Sequence, residues 1–455
     1  MTRNYPRPQT NGHHADEGPR PVPNATVPYW RTELHHLDEF RSTAELPKDT
    51  DIAIIGAGMS GVAIAYNLLQ LYGNEAKPSI TIVEARQVCS GATGRNGGHA
   101  KVRSISMQKI INERNAEAAD EYAAFISDLM HGLKTVVEKE KLDCEFEVRR
   151  TFDVFLDEKD AKEVGDLYRE SVAKGHRWTR DRDMVPVDRV EQVTSIKGAK
   201  AAMSGPACSL WPYKFVTQLL ERIIEDINLQ TNTMMEEISV DSATGLNLIK
   251  TARGVLRAKK LIYASNGYTG GVCPTYKNKI VPYRGTASHL VPSPVPVSPH
   301  LSHTYNIVYG EKCTDYLNPR PDGSIVVGGA NYRYKEHRDL WYNNWDDSKL
   351  IPNTESHFDG LMQRNFKGWE KSGAFLERYW TGIMGCTADG RPHIGRVPGQ
   401  DGEQYVHAGF NGGGMTQIWS CSIGLAKMVK DGISFEETGL PGMFEATAER
   451  LKAEM

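Results

Sequence analysis

The chain has 455 residues, 40% of them hydrophobic and 24% charged, with a formal net charge of −3. That length exceeds one ordinary core and predicts two domains. The near-neutral balance, without a basic run, excludes a polyanion-binding surface and with it nucleic acid as a partner. No apolar run approaches the ~18 residues of a membrane span. The seven cysteines are odd in number and form no C-x-x-C pair. They predict a reduced, cytoplasmic protein with neither a disulfide frame nor a metal site.

Residues 1–27 are rich in Pro, Asn and His, and predict a mobile segment. Tyr29, Trp30, Leu34, Leu37 and Phe40 then give residues 28–47 enough apolar surface to dock as an arm. Residues 51–61 read as strand and tight turn, and a helical run over 62–71 follows. Gly56, Gly58 and Gly61 fill G-x-G-x-x-G at that turn. Gly56 permits the turn, Gly58 lets backbone approach a pyrophosphate, and Gly61 lets the helix pack on the strand. The helix N-terminus offers N–H groups and the positive end of its dipole to phosphates. A second strand over 79–83 ends at Glu84, where a carboxylate accepts ribose hydroxyls and repels a 2′-phosphate. The fingerprint predicts FAD or NAD rather than NADP, and by itself leaves those two open.

The next stretch, from Cys89 to His99, holds too many turn-forming residues for a helix or a central strand, and reads as a loop. Its glycines permit close backbone approach, and Ser90, Thr93, Arg95 and Asn96 supply polar contacts. Apolar spacing predicts one long helix over 106–138, a strand over 151–156 and a charged helix over 158–174. A Pro-initiated helix follows over 212–228, then short strands near 236–240, 245–250 and 253–257, and a buried strand over 261–267. Residues 279–291 and 305–327 are strand-rich and suggest an antiparallel sheet. A helix is predicted over 355–369. A final glycine cluster over 409–415 opens a helix to about residue 430, a second site suited to an anion or dipole. The fold class is α/β. A discontinuous Rossmann-type domain takes 48–105, 195–270 and 376–432. An α+β substrate domain takes 106–194 and 271–375, between an N-terminal arm of 1–47 and a C-terminal tail of 433–455.

Four stretches in order resemble one pattern: the Gly56–Gly61 fingerprint with Glu84, the Ser90–Gly98 loop, Thr387-Ala-Asp-Gly-Arg-Pro-His-Ile-Gly395, and the Gly409–Met415 cluster. Together they resemble the D-amino-acid-oxidase (DAO) superfamily of FAD-dependent oxidoreductases. The likeness is strongest to its gamma-glutamylputrescine oxidase-like and sarcosine/glycine oxidase-like branches, and spans about residues 48–432. The resemblance selects FAD over NAD. It implies oxidation of a small amine or amino acid at its C–N bond to an imine, with hydride passing to flavin N5. Oxygen is the usual acceptor and yields peroxide; a dehydrogenase using another acceptor, or an oxidase that tailors a larger natural product, are the alternatives.

Carried onto this chain, the resemblance implies that Gly56, Gly58, Met59, Ser60 and Gly61 hold the pyrophosphate, and that Glu84 and Arg86 hold the adenosine ribose. Ser90, Thr93, Arg95, Asn96 and Gly97 pass along the pyrophosphate, ribitol and flavin ring. Met235 meets adenine through its backbone. Gly409, Asn411, Gly413, Gly414 and Met415 face the flavin pyrimidine. Sarcosine oxidases attach flavin through a Cys where this chain has Gly382, which predicts no attachment there; Cys386 is off register and leaves a link open. A substrate-binding Lys of that branch falls on Thr416, and its oxygen-activating Lys falls near Ile325 and Val326.

For the substrate, an extended continuation past Gly98 places His99, Lys101 and Arg103 on one face, a cationic surface suited to a carboxylate. A solvated basic strand edge is the alternative. His99, Lys101, Trp380 and His393 are the catalytic candidates, and Arg103, Tyr283, Arg284 and Tyr332 the substrate-binding ones.

Overall fold

The computed structural model of the chain describes residues 18–453 apart from 296, 311, 312 and 401, together with 455. The apolar strand Asp49–Ile55 is the centre of the first sheet. It pairs in parallel with Gly254–Tyr263 on one side and with Ile80–Val83 on the other. Glu403–Ala408 and Asn228–Gln230 extend these flanks, again in parallel. His393–Arg396 closes one edge antiparallel. Both faces of this sheet are covered, as a parallel sheet requires. Ile52 and Ile54 pack into one apolar cluster, while Ala53 and Ile55, pointing the other way, pack into a second. The helices Met59–Tyr72 and Ile418–Asp431 cover the first face, and their Val62, Leu68, Leu425 and Val429 are fully buried there.

The second sheet has the order Phe375–Cys386, Val281–Val291, Ile325–Gly329, Cys313–Pro319, Thr304–Gly310, Glu147–Phe155, Ala201–Ser209 and His99–Lys101. Its pairs are antiparallel except for the parallel contact of Thr304–Gly310 with Glu147–Phe155. Three of its strands lie in segments that the sequence reading places in the cofactor domain: His99–Lys101, Ala201–Ser209 and Phe375–Cys386. The chain crosses between the sheets more often than the domain boundaries suppose.

Local chemistry explains the other departures. The helix expected over 106–138 is two, Ser104–Glu113 and Ala116–Glu140, because Asn115 accepts from the Ala118 amide and caps a new start. The helix expected over 212–228 stops at Glu221, and Asn228–Gln230 is a strand. Residues 355–369 hold two short helices split at Gly360, whose φ is +68°. The mobility expected over 1–17 lies outside the described residues. Residues 18–27, in contrast, are pinned: Arg20 donates to the carbonyls of Met235 and Glu236, and Thr26 to that of Asp347. The segment 433–455 is no loose tail, since Phe435, Leu440, Met443 and Phe444 are buried and Arg450 pairs with Asp389. No helix among the described residues is long and apolar enough to cross a membrane.

Gly61 sets the contact between the first strand and its helix. A Cβ there would stand 1.9 Å from the Gly56 carbonyl oxygen and 3.2 Å from Ile54. Gly61→Ala should therefore cost about 3 kcal/mol of stability, the upper end for overpacking. Gly442→Ala, with nothing within 4 Å of the added carbon, should change stability by no more than about 0.5 kcal/mol. Urea midpoints of the two variants check the contrast; equal midpoints would remove this packing argument.

Candidate active site

The carboxyl ends of the parallel strands open onto a cavity of about 690 Å³ that reaches across to the second sheet. Ligands of open parallel sheets bind at that end of the strands. Its floor is the first turn. Gly56 has φ +114°, and a Cβ there would lie 2.8 Å from the Ala264 carbonyl oxygen. Gly58, Met59 and Ser60 line the cavity at the helix N-terminus. Thr93 accepts from the Met59 amide at 2.9 Å, which ties the loop after the second strand to this turn. Gly61 contributes packing from behind and does not line the cavity. Glu84 lines it too, and accepts from the amides of Ala57 and Arg86.

Several polar side chains expected on the cofactor line the cavity and also hold its wall together. Arg86 forms a bidentate pair with Asp347 at 3.0 Å for both contacts. Arg95 stands 3.5 Å from the same carboxylate and donates to the carbonyls of Ser90 and Thr381. Asp347 is fully buried. Burial pulls the Arg95 guanidinium down to about 10, against the opposing pull of Asp347. Asn96 bonds its own loop at Ala92, Thr93 and Gly98. Asn411 bonds Thr387, joining the last glycine turn to the Thr387–Gly395 stretch. Met235 lines the cavity, but its carbonyl accepts from Arg20. All five of these residues, Arg86, Arg95, Asn96, Asn411 and Met235, line the cavity.

The glycine turn meets the cavity through Asn411, Gly413, Gly414 and Met415, while Gly409 packs against Thr387 and Ile280 behind it. A short turn, Gly414–Thr416, precedes the helix Ile418–Asp431. The helix therefore starts later than the sequence pattern suggests. Among the described residues, five that line the cavity each have a buried side-chain polar atom without a hydrogen-bond partner: Arg86 Nε, Ser90 Oγ, Tyr268 OH, His99 Nδ1 and Gln417 Oε1. Orphaned polar atoms call for a partner. With the glycine cradle at both helix starts, they fit a flat, phosphorylated dinucleotide such as FAD. Gly382 also lines the cavity, and Cys386 does not. Burial pushes the Cys386 thiol up to about 12, far from the reactive thiolate range.

At the far end, the strand His99–Lys101 pairs with Ala201–Ser209 and brings His99, Lys101 and Arg103 to the cavity together. Lys101 is buried and donates to the Tyr305 carbonyl at 2.6 Å. Burial lowers its pKa to about 7, against the pull of Asp153. His99 is held well below its ordinary range by burial and then by Lys101, so the imidazole is neutral. Arg103 is exposed at the rim. The remaining candidates stand outside the cavity lining. Trp380 is fully buried and donates to the Arg95 carbonyl at 2.9 Å, a strut for the loop. His393 packs edge-on to Tyr276, with burial taking it down to about 3. Tyr283 stacks among Trp341 and Tyr342, Arg284 donates to the Leu340 and Asp346 carbonyls, and Tyr332 bonds His357.

Sequence reasoning missed the aromatic wall of Tyr122, Tyr316, Tyr334 and Phe444, as well as Gln417 and Asp347. The glycine at 97 carries a trace of it, because a Cβ there would strike Tyr316 at 2.6 Å.

Two outcomes test this geometry. Gly58→Phe, which fills the cavity floor, should yield folded protein without flavin absorbance; retained flavin would displace the turn from its assigned place. Acid precipitation of the yellow protein should leave all flavin in the supernatant, and colour in the pellet would establish a covalent link.

The family model described as DAO, FAD dependent oxidoreductase, matches residues 51–428. The gamma-glutamylputrescine oxidoreductase of Escherichia coli is 21% identical over 378 residues, 80% of each chain. Among solved structures, the glycine oxidase of Geobacillus kaustophilus is 16% identical with a TM-score of 0.67, covering 88% of this chain and 99% of its own. The L-proline dehydrogenase of P. horikoshii is 18% identical with a TM-score of 0.66, covering 86% and 95%. The match runs through the fingerprint, both sheets and the glycine turn, and the chain belongs to the DAO family of FAD-dependent oxidoreductases.

Proposed function

We propose that the protein oxidises the C–N bond of a small amine or amino acid that carries an anionic group, and passes the electrons to oxygen. The observation that carries this reading is the strand His99–Lys101 with Arg103, which brings Lys101 and the Arg103 guanidinium to the wall of the same cavity as the cofactor cradle. The named activities of the relatives, on glycine and gamma-glutamylputrescine, support an amine as the reacting group.

When bound, FAD supplies the centre that takes up hydride. Arg103, at the rim, would attract and orient a substrate carboxylate by a charge-assisted hydrogen bond. Tyr122, Tyr316, Tyr334 and Phe444 exclude water around the apolar part of the substrate. Hydride leaves the carbon readily only when the amine is neutral. Lys101 Nζ, near its midpoint at neutral pH, would take the ammonium proton. His99, neutral and edge-on to Tyr316 at 5.5 Å, would serve as a fixed hydrogen-bonding wall.

A dehydrogenase using another acceptor is the second reading. Ile325 and Val326, where the resemblance places an oxygen-activating lysine, are apolar and buried in the sheet. Peroxide released one-for-one with substrate would remove that reading.

Anaerobic mixing with a panel of amines should bleach the flavin with carboxylate-bearing members. No bleaching by any amine would sink the proposed activity. Arg103→Ala should raise KM at least about tenfold for those substrates, the loss of a charged hydrogen bond, and leave uncharged amines little changed. The bleaching rate should rise with pH through about 7 as Lys101 loses its proton. Lys101→Met should lack that limb; an unchanged profile would free Lys101 of the role.

A further inference from the structure

We propose that Arg20, delivered by the N-terminal arm, is a cofactor-binding residue that supplies the missing cation and outer wall at the adenosine end of the FAD cavity. Nothing in the glycine fingerprint provides a cation there. Arg86 and Arg95, the nearest alternatives, share the buried Asp347 carboxylate. Arg20 has no carboxylate partner among the described residues, and both it and Pro21 line the cavity beside Glu84, Met234 and Met235. Its two terminal nitrogens donate to consecutive carbonyls, Met235 at 2.5 Å and Glu236 at 2.6 Å. Two carbonyls satisfy donors without neutralising the charge. They also fix the guanidinium plane, so the cation is positioned before a ligand arrives. A dianionic dinucleotide gains from such a charge, and a planar guanidinium stacks on an aromatic base as an ammonium does not.

The arm is built to hold that position. Gly18 and Gly271 allow backbone to lie on backbone: a Cβ on Gly271 would stand 2.0 Å from the Pro19 carbonyl oxygen. The Val22 carbonyl accepts from Arg86 at 3.1 Å. Thr26 bonds Asp347 through its amide at 2.8 Å and accepts from Arg95 at 3.0 Å. Trp30 is fully buried and donates to the Asn96 carbonyl at 2.5 Å. Of the arm, Arg20 and Pro21 line the cavity, and the segment from Gly18 to Trp30 is anchored at both ends and in the middle. Retention by an arm suits a site that has Gly382 in place of an attaching cysteine.

The test uses the full chain, stripped of flavin and titrated with FAD while flavin fluorescence is followed. Arg20→Ala should raise the FAD dissociation constant at least tenfold, equivalent to about 1.4 kcal/mol. Arg20→Lys keeps the charge and loses the plane, and should fall between the two. Added salt should weaken binding in the natural protein more than in Arg20→Ala. The melting temperature of the flavin-free variant should stay within about 2 °C of the natural protein's, because Val22, Thr26 and Trp30 still anchor the arm. A dissociation constant within twofold of the natural protein would overturn the proposal. So would a rise in it accompanied by a lowered melting temperature of the flavin-free variant, which would make Arg20 a brace of the fold.

Discussion

One buried carboxylate carries more of this architecture than any glycine does. Asp347 has no exposed surface, and two guanidiniums, Arg86 and Arg95, converge on it. Arg86 leaves the end of the second strand of the first sheet, and Arg95 sits in the loop that covers the cofactor cradle. The backbone carbonyl of Asp347 also accepts from Thr26 of the arm and from the Thr381 hydroxyl of the strand Phe375–Cys386. Arm, loop and both sheets therefore meet at a single group. Removing one partner of a buried ion pair typically costs about 3–5 kcal/mol, since the remaining charge is left without compensation. Here two charges would be left, both inside the cavity wall.

This arrangement divides labour between backbone and side chain. Arg95, Asn96 and Asn411 look like ligand-binding residues by type and position, yet each spends its hydrogen bonds on the protein. The amides and glycines they hold in place line the cavity with them. Rigidity before binding reduces the ordering that binding must bring about. Ser90 and Tyr268, whose hydroxyls are buried without a partner among the described residues, line the same cavity.

The cofactor cradle was legible in the sequence because its constraints are local. A turn with φ +114° at residue 56 and an acid at the end of the next strand leave marks within one strand–helix–strand unit. The nearness of His99, Lys101 and Arg103 to one another was legible for the same reason, although the strand ends at Lys101 and Arg103 caps the following helix. The Asp347 network was not. Its partners are separated by 261 positions, and a run of polar residues around 344–349 carries no period that singles one out. Sheet membership was hidden too. Ala201–Ser209, mostly small residues, and Phe375–Cys386, of mixed composition, are extended stretches that could have joined either sheet, and only pairing decides. Trp380, His393 and Arg284 were misleading because large or charged residues beside motifs serve packing as often as chemistry. Arg20 fell in a stretch whose Pro-rich composition reads as mobile, although a few hydrogen bonds suffice to pin it.

The spread of the cavity walls along the chain has a consequence for how the holoenzyme is made. The lining runs from Arg20 to Phe444, with contributions from the fingerprint unit, from the strands and turns between Met234 and Tyr334, and from the glycine turn. A polypeptide emerging from the ribosome has the fingerprint unit early, but the glycine turn and the aromatic wall only near the end of synthesis. The cavity is therefore complete only once residue 444 has been made, and the phosphate-binding turn alone is a small part of its wall.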